Sequence, residues 1–203
     1  MRYDKYMDTE VIVRNGTKIP KLGMGSWFLG ENKAKEAAEI EAIQAGIENG
    51  VTLIDTAEMY GEGKAETLIG KAIQGYDRSK LFIVSKVYPH NAGKAHIFTS
   101  CENSLLRLGT DCLDLYLLHW RGAVPFEETV ACMEKLIADG KIKRWGVSNL
   151  DTDDMKELNE VSGGQSCAVD QVLYHVGSRG IEYDLYPWLL KHDTAVMAYC
   201  PMA

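Results

Sequence analysis

The feature that most constrains the fold of this chain is a regular alternation of short apolar runs with amphipathic stretches. Six stretches with the 3.6-residue spacing of helices separate the apolar runs, and two of these stretches stop at Gly50 and Gly140. Such alternation predicts a parallel sheet with right-handed crossovers. The seven predicted strands lie at 21–27, 51–55, 81–87, 112–120, 142–149, 167–174 and 194–200.

Two architectures satisfy this pattern, an open doubly wound sheet and a closed (β/α)8 barrel. The stretch GMGSWF (23–28) lacks the third glycine of the GxGxxG turn that follows the first strand of a dinucleotide-binding open sheet. Ahead of it, Asn15-Gly16 between two short extended runs predicts a β-hairpin. No linker, repeat or low-complexity segment divides the chain, so we expect a single α/β domain over residues 1–203.

Composition and charge narrow the classes of partner. A net charge of −7 and a pI near 5.3 argue against nucleic acid or an anionic membrane. No apolar run approaches the ~18 residues that cross a bilayer. The charged start MRYDKYMDTE lacks the apolar core of a signal peptide. Five scattered cysteines without a CxxC pair fit a reducing compartment, and we expect a cytoplasmic protein.

Polar side chains adjoin the carboxyl ends of six predicted strands, where ligands bind in both architectures. Taken singly, Asp55 or Asn149 has an ordinary explanation as the start of a helix. Lys86 has one as a solvated lysine, and His119 as a hydrogen-bonded core histidine. All these explanations would have to hold together, so we expect a common site formed by Asp55, Lys86, His119, Ser148, Asn149, Gln171 and Tyr199.

Asp55, Tyr60 and Lys86 supply the parts of a proton donor. A tyrosine has a pKa of about 10, too high for efficient acid–base work at neutral pH, and a neighbouring ammonium lowers it. A carboxylate would hold that ammonium charged, while His119 would orient a substrate oxygen. Tyr60 would protonate a carbonyl oxygen, and because no side chain delivers hydride, a nicotinamide cofactor is implied. Its carboxamide and ring suit Ser148, Asn149, Gln171 and Tyr199.

The sequence lacks the motifs of three other kinds of site. GEGKAET is not a phosphate loop, because the pattern needs glycine where Glu58 stands and Ser or Thr where Ala65 stands. The five histidines show no metal-ligand spacing, so we expect no metal site. There is no GxSxG elbow of a serine hydrolase.

The stretches DTAEMYGEGKAETLIG, VSK, LDLYLLHW and WGVSN together resemble the motifs of the aldo-keto reductases, from about Ile19 onwards. The nearest likeness is to bacterial members that reduce methylglyoxal and similar small aldehydes. The resemblance implies a (β/α)8 TIM barrel closed at its bottom by the hairpin. It also implies reduction of a small carbonyl substrate to an alcohol by NADPH, with NADH as the alternative cofactor. It assigns the catalytic tetrad to Asp55, Tyr60, Lys86 and His119, the nicotinamide contacts to Ser148, Asn149, Gln171 and Tyr199, and the substrate pocket to Trp27, Tyr88 and Trp120.

The sequence departs from that family pattern after the seventh strand, where helix 7, strand 8 and helix 8 would follow. The substrate-selecting C-terminal loop and the basic cluster for the adenosine 2′-phosphate normally lie in that part of the family. We therefore expect a truncated, incomplete barrel of seven strands with weakened cofactor binding. We also expect self-association through its open strand edges.

Two functions from different classes follow from these observations. The first is a carbonyl reductase, favoured because a purely binding barrel has no need of Tyr60, Lys86 and His119 together. The second is a catalytically silent barrel that acts as a binding or regulatory module or is an inactive fragment, favoured by the absent strand. A third, a barrel enzyme that uses a bound phosphate, has no positive motif.

Overall fold

The computed structural model describes residues 9–13 and 16–202. Its strands are β1 (Glu10–Val13), β2 (Thr17–Pro20), β3 (Gly23–Gly25), β4 (Leu53–Asp55), β5 (Phe82–Val87), β6 (Leu115–Leu118), β7 (Trp145–Ser148), β8 (Val169–Leu173) and β9 (Ala195–Tyr199). Its helices are α1 (Glu36–Glu48), α2 (Lys64–Ala72), α3 (Ile97–Leu108), α4 (Phe126–Ala138), α5 (Thr152–Glu160) and α6 (Leu185–Lys191).

Strands β3 to β9 form one parallel sheet in which every strand pairs with its neighbours in sequence. A doubly wound sheet reverses its strand order at a switch point, whereas a barrel adds each strand beside the previous one. The observed order therefore confirms the predicted barrel-type α/β fold with seven parallel strands. Over the described residues, β3 and β9 each have a single neighbouring strand.

The predicted hairpin is also present. Strands β1 and β2 pair antiparallel, with Val13 opposite Thr17, while Asn15 of the predicted turn lies outside the described residues. Val13 and Ile19 are buried in one cluster with apolar residues at the starts of β4, β5 and β6. The hairpin thus packs against the end of the sheet opposite to the carboxyl ends of the strands.

The core has two layers because side chains alternate along each strand. In β5, Phe82 and Val84 belong to the cluster inside the sheet, whereas Ile83 and Val87 belong to the larger cluster between the sheet and the helices. Lys86 continues the inward-facing series, so this strand brings a charged side chain into the interior.

Several elements are shorter than the sequence pattern predicts. The first strand of the parallel sheet covers Gly23–Gly25 rather than 21–27, and β6 covers Leu115–Leu118 rather than 112–120. At Gly23, a Cβ atom would lie 2.4 Å from the Cδ2 atom of Leu53, so a larger residue there would displace the Leu53 side chain. Apolar runs mark where strands lie but extend into the loops that cover the core.

Candidate active site

The predicted site residues converge at the carboxyl ends of the strands. Asp55 ends β4, Ser148 ends β7 and Tyr199 ends β9, while His119 follows β6 directly. Together with the loop after β3 and the turn after β4 they enclose a cleft of about 400 Å³. Its walls are formed by Gly25, Ser26, Trp27, Asp55, Met59, Tyr60, His119, Trp120, Ser148, Asn149, Gln171, Tyr199 and Cys200.

Lys86 lies fully buried beneath this cleft. Its Nζ atom donates to Asp55 Oδ1 at 2.6 Å, to the carbonyl oxygen of Thr56 at 2.8 Å and to Tyr60 Oη at 3.2 Å. These three bonds use all the donor hydrogens of an ammonium group, and the Asp55 carboxylate compensates its charge. Lys86 is therefore not a solvated lysine, and the Asp55 side chain bonds across the sheet instead of capping a helix.

Tyr60 stands on a tight turn between β4 and α2. Gly61, Glu62 and Gly63 have φ angles of +57°, +56° and +86°, so three successive residues adopt the left-handed region. That path reverses the chain and places the Tyr60 hydroxyl over the Lys86 ammonium. Burial raises the pKa of Tyr60, the Lys86 charge lowers it, and the Asp55 charge raises it again. The net lowering expected from the sequence is wrong, because burial keeps the phenolate out of water.

His119 is a neutral imidazole in this site. Burial, followed by the positive charge of Lys86, lowers its pKa to about 3. Its ring lies 5.7 Å from the Tyr60 ring in an edge-on arrangement. Among the described residues, its Nδ1 atom is buried without a hydrogen-bond partner. This is not the environment of a hydrogen-bonded core histidine, and a neutral ring can donate to or accept from a bound oxygen.

Hydroxyl and amide groups occupy the other side of the cleft. Ser148 Oγ donates to the carbonyl oxygen of Gln171 at 2.8 Å, and Asn149 Nδ2 donates to Ser148 Oγ at 3.0 Å. Asn149 has a φ of +57°, and the next helix is capped by Asp151, whose side chain accepts two backbone N–H bonds. Asn149 is therefore not the cap of that helix. Tyr199 Oη donates to Asn149 Oδ1 at 2.9 Å, which brings the last strand to this group.

One contact of the site had no counterpart in the sequence analysis. Gln171 Nε2 donates to Asp55 Oδ2 at 2.8 Å, so the two oxygens of Asp55 bind Lys86 and Gln171 respectively. The sequence indicated Gln171 as a nicotinamide contact near a strand end, but not as a partner of Asp55. The cleft-lining residues Ser26, Met59 and Cys200 were not predicted as site residues, although Met59 lies in the stretch DTAEMYGEGKAETLIG.

Aromatic side chains form the mouth of the cleft. The Trp27 ring stacks on Phe28 with centroids 4.6 Å apart, and Trp120 lies opposite beside His119. Both tryptophans are exposed, by 54% and 37%. Tyr88 is not among the lining residues and meets the edge of Trp120 at 6.0 Å instead.

A second cleft of about 470 Å³ lies between the hairpin, β3 and β9, and its lining is mainly apolar. Within residues 9–13 and 16–202, no three His, Cys, Asp or Glu side chains are grouped so that they could hold a metal ion. Over the same residues, no helix has the length and apolar character needed to cross a bilayer.

The sequence from residue 21 to residue 203 matches the Aldo/keto reductase family. The chain is 60% identical over 185 residues to methylglyoxal reductase YeaE of Escherichia coli, covering 91% of this chain and 65% of that protein. It is 41% identical over 150 residues to a glyoxal reductase of Bacillus subtilis, covering 73% of this chain and 52% of that protein. The chain thus spans less than two thirds of the length of these relatives.

Solved structures give the same result. A crystal structure of an aldo/keto reductase from Klebsiella pneumoniae in complex with NADP and acetate superposes with a TM-score of 0.92 at 55% identity. The match covers 96% of this chain and 68% of that one. From the family match, the sequence identity and the shared fold, this chain belongs to the aldo/keto reductase family.

Proposed function

We propose that this chain is a carbonyl reductase that converts a small aldehyde or ketone to an alcohol with NADPH, or with NADH as the alternative. The observation that carries the proposal is the buried Lys86 ammonium, which contacts both the Asp55 carboxylate and the Tyr60 hydroxyl. A half-buried tyrosine with a raised pKa keeps its proton at neutral pH, as a general acid must before it reacts.

The roles of the four polar residues follow from their contacts. Tyr60 donates its proton to the carbonyl oxygen, and the Lys86 ammonium stabilises the phenolate that remains. Asp55 holds the Lys86 side chain in place, since its carboxylate is 2.6 Å from Nζ. The neutral His119 ring orients the carbonyl oxygen by a hydrogen bond, and its neutrality avoids a second positive charge beside Lys86.

The amide side of the cleft fits a nicotinamide cofactor. Ser148, Asn149 and Gln171 offer hydroxyl and amide donors and acceptors close to one another, as a carboxamide requires, and Tyr199 offers an aromatic face at the rim. When bound, the reduced cofactor supplies the hydride. The Klebsiella pneumoniae proteins of similar structure were crystallised with NADP and with NADPH, which supports this cofactor.

The cleft favours small uncharged carbonyl compounds. Its volume of about 400 Å³ is at the lower end for ligand pockets. Its lining residues include tryptophans but neither lysine nor arginine, so a substrate carboxylate would find no cation there. The printed names of two relatives, a methylglyoxal reductase and a glyoxal reductase, support small dicarbonyls as the substrate class.

The experiment is to follow NADPH oxidation with methylglyoxal for the wild-type chain, Tyr60→Phe and the control Tyr88→Phe. Phenylalanine keeps the ring of Tyr60 but removes the transferable proton, so we expect turnover to fall about 10²–10⁴-fold. Tyr88→Phe should retain turnover within about threefold, because Tyr88 does not line the cleft. Full turnover by Tyr60→Phe would refute the assignment of the general acid.

The alternative is a catalytically silent barrel that binds a ligand or a partner, or an inactive fragment. It would be favoured by absence of turnover in the wild-type chain together with retained NADPH binding, measured by quenching of tryptophan fluorescence. Absence of both would favour the inactive fragment.

We further propose a cytoplasmic location and self-association. Five free cysteines, three of them buried, support a reducing compartment. The single strand neighbour of β3 and of β9 within residues 9–13 and 16–202 supports pairing between copies at these edges. Sedimentation velocity should show species heavier than the 22.6 kDa monomer as concentration rises. A single monomer peak up to about 100 μM, a concentration at which exposed strand edges associate, would refute self-association.

A further inference from the structure

A buried carboxylate lies behind the proposed active site, outside the cleft. Glu66, in the first turn of α2, is fully buried and both of its oxygens are used. Its Oε1 atom accepts a hydrogen bond from Ser85 Oγ at 2.5 Å, and its Oε2 atom accepts one from Arg107 Nε at 2.6 Å. One carboxylate therefore joins β5, α2 and α3.

The first contact of Glu66 supports the strand that carries Lys86, the partner of the proposed proton donor Tyr60. Ser85 immediately precedes Lys86 on β5, and because side chains alternate, Ser85 faces the helices while Lys86 faces the interior. The hydrogen bond from Ser85 to Glu66 thus holds the strand that carries Lys86 against the helix that begins just after Tyr60.

The second contact supports the turn that carries Tyr60. At Gly63, the last residue of that turn, a Cβ atom would lie 2.7 Å from Cδ and Nε of Arg107. The Arg107 side chain therefore packs directly under the turn. Left-handed backbone is unfavourable for a non-glycine residue such as Glu62, so the turn needs surrounding contacts to persist.

Stability alone does not account for this arrangement. Bringing a carboxylate and a guanidinium out of water costs about as much as their attraction returns, so a buried ion pair is weak evidence for a stabilising role. A carboxylate with fixed partners on two sides does, however, define the relative position of the elements that it joins.

We propose that Glu66 is a positioning residue: by bridging Ser85 and Arg107 it sets the separation of the Tyr60 hydroxyl from the Lys86 ammonium. This inference deepens the proposed function and rests on it. Glu66 touches neither the cleft nor Tyr60, and it acts through the strand and the turn that it connects.

The test measures the pKa of Tyr60 by ¹⁹F NMR on protein labelled with 3-fluorotyrosine, whose lower intrinsic pKa keeps the titration in the range of the folded protein. The Tyr60 signal among the ten tyrosines is assigned by its loss in Tyr60→Phe. This readout needs no turnover. The variants are Glu66→Gln, Ser85→Ala and Lys86→Met. Glu134→Gln is the matched control, because Glu134 on α4 also accepts a hydrogen bond from a strand residue, Trp145 on β7.

We expect Lys86→Met to raise the pKa of Tyr60 by about 1–3 units, because the neighbouring charge is lost. Glu66→Gln and Ser85→Ala should raise it by a fraction of that shift, about 0.5–1 unit, as the ammonium moves away. Glu134→Gln should leave it unchanged. In the turnover assay, the Glu66 and Ser85 variants should lower kcat with little change in KM.

The outcomes separate the two proposals. No shift in Lys86→Met would refute the Tyr60–Lys86 pair and with it the proposed general acid. A shift in Lys86→Met without one in Glu66→Gln and Ser85→Ala would refute only the positioning role. If Glu66→Gln fails to fold, Ser85→Ala decides the question, since it removes one hydroxyl and keeps the charges. A shift of the same size in Glu134→Gln would also refute the specific role of Glu66.

Discussion

The middle strands of the parallel sheet and its two outer strands differ in burial, and the proposed site draws residues from both groups. Every residue of β5, β6 and β7 is buried, whereas no residue of β3 or β9 is. Lys86 and Ser148 belong to the buried middle, while Tyr199 stands on an outer strand and Trp27 follows the other. The ammonium proposed to assist Tyr60 is thus fixed by the core, whereas Tyr199 and Trp27, both proposed to touch ligands, lie at its margin.

The largest effect is expected from Lys86→Met. This substitution removes the one charged side chain of β5, which is among the buried middle strands. Turnover should fall about 10²–10⁴-fold, because Tyr60 loses the group that stabilises its phenolate. The free energy of unfolding should fall by about 3 kcal/mol, since Asp55 loses the partner that compensates its charge. Urea denaturation and the NADPH assay measure the two effects. Lys135→Met on the exposed face of α4 serves as the control, and an equal loss there would contradict the assignment.

A matched pair of valines measures the difference in packing directly. Val147 on β7 is 1% exposed, whereas Val196 on β9 is only partly buried against the same cluster. Val147→Ala should lower the free energy of unfolding by about 2 kcal/mol, and Val196→Ala by about 1 kcal/mol or less. Urea denaturation of both variants checks this, and equal losses would show that the outer strand is packed as tightly as the middle.

The pH dependence of stability should reveal the buried Asp170 of β8, the strand between the middle and the outer edge. Burial raises its pKa to about 8, the Leu150 backbone amide opposes the shift, and the Asp154 charge adds to it. The folded state therefore holds a proton that the unfolded chain loses near its ordinary value of 3.8. The free energy of unfolding should decrease as pH rises through this interval, by at most about 1.4 kcal/mol per pH unit.

Asp170→Asn removes this titration, so its stability should change less between pH 6.5 and 8. The lowered pKa of His119 has the opposite effect: below about pH 6.5 the unfolded chain binds a proton at this residue that the folded chain does not. The free energy of unfolding therefore falls as pH decreases below about 6.5. Denaturant titrations above pH 6.5 therefore isolate Asp170. Parallel curves for wild type and Asp170→Asn would contradict its raised pKa.

The smallest effect, without consequence for stability, is expected in thiol labelling. Cys200 is exposed beside β9, whereas Cys101, Cys132 and Cys167 are buried, and burial raises the pKa of Cys101 to about 12. A thiolate is the reactive form, so Ellman's reagent at pH 8 should modify Cys200 first. Cys200→Ser should remove the fast phase, and its persistence would show that a buried cysteine becomes accessible.

Sequence periodicity predicted the strands and helices because the middle strands and the crossover helices bury apolar side chains. The seven apolar runs and the six helical stretches all correspond to elements of the structure, although their ends differ by several residues. The order of the strands was not in the pattern itself, since an open sheet and a barrel share the same alternation. Phe28 stands where the GxGxxG turn of a dinucleotide-binding open sheet has its third glycine, and this difference favoured the barrel.

The site was predictable where a polar residue interrupts an apolar run, and not where its environment depends on distant parts of the chain. Asp55, Lys86 and His119 stood out for that reason. The bond from Gln171 to Asp55 joins residues 116 positions apart, and no local pattern encodes it. The direction of the Tyr60 pKa shift also escaped prediction, because burial of its hydroxyl follows from the folded turn. Glu66 was not predicted as a site residue, because its full burial depends on contacts with β5 and α3.

The neighbour-only pairing of the strands bears on how the site is assembled during synthesis, when the N-terminal residues leave the ribosome first. Asp55 and Lys86 are 31 positions apart and lie on adjacent strands, so their ion pair can form once β4, α2 and β5 have emerged. Tyr60 lies between them in the sequence, and Arg107 of α3, the helix that follows β5, packs under its turn. The amide side of the cleft is added afterwards, as β7, β8 and β9 join the growing sheet in turn. The residues proposed to donate the proton thus lie within one short stretch of the sequence. The residues proposed to hold the cofactor follow in later strands.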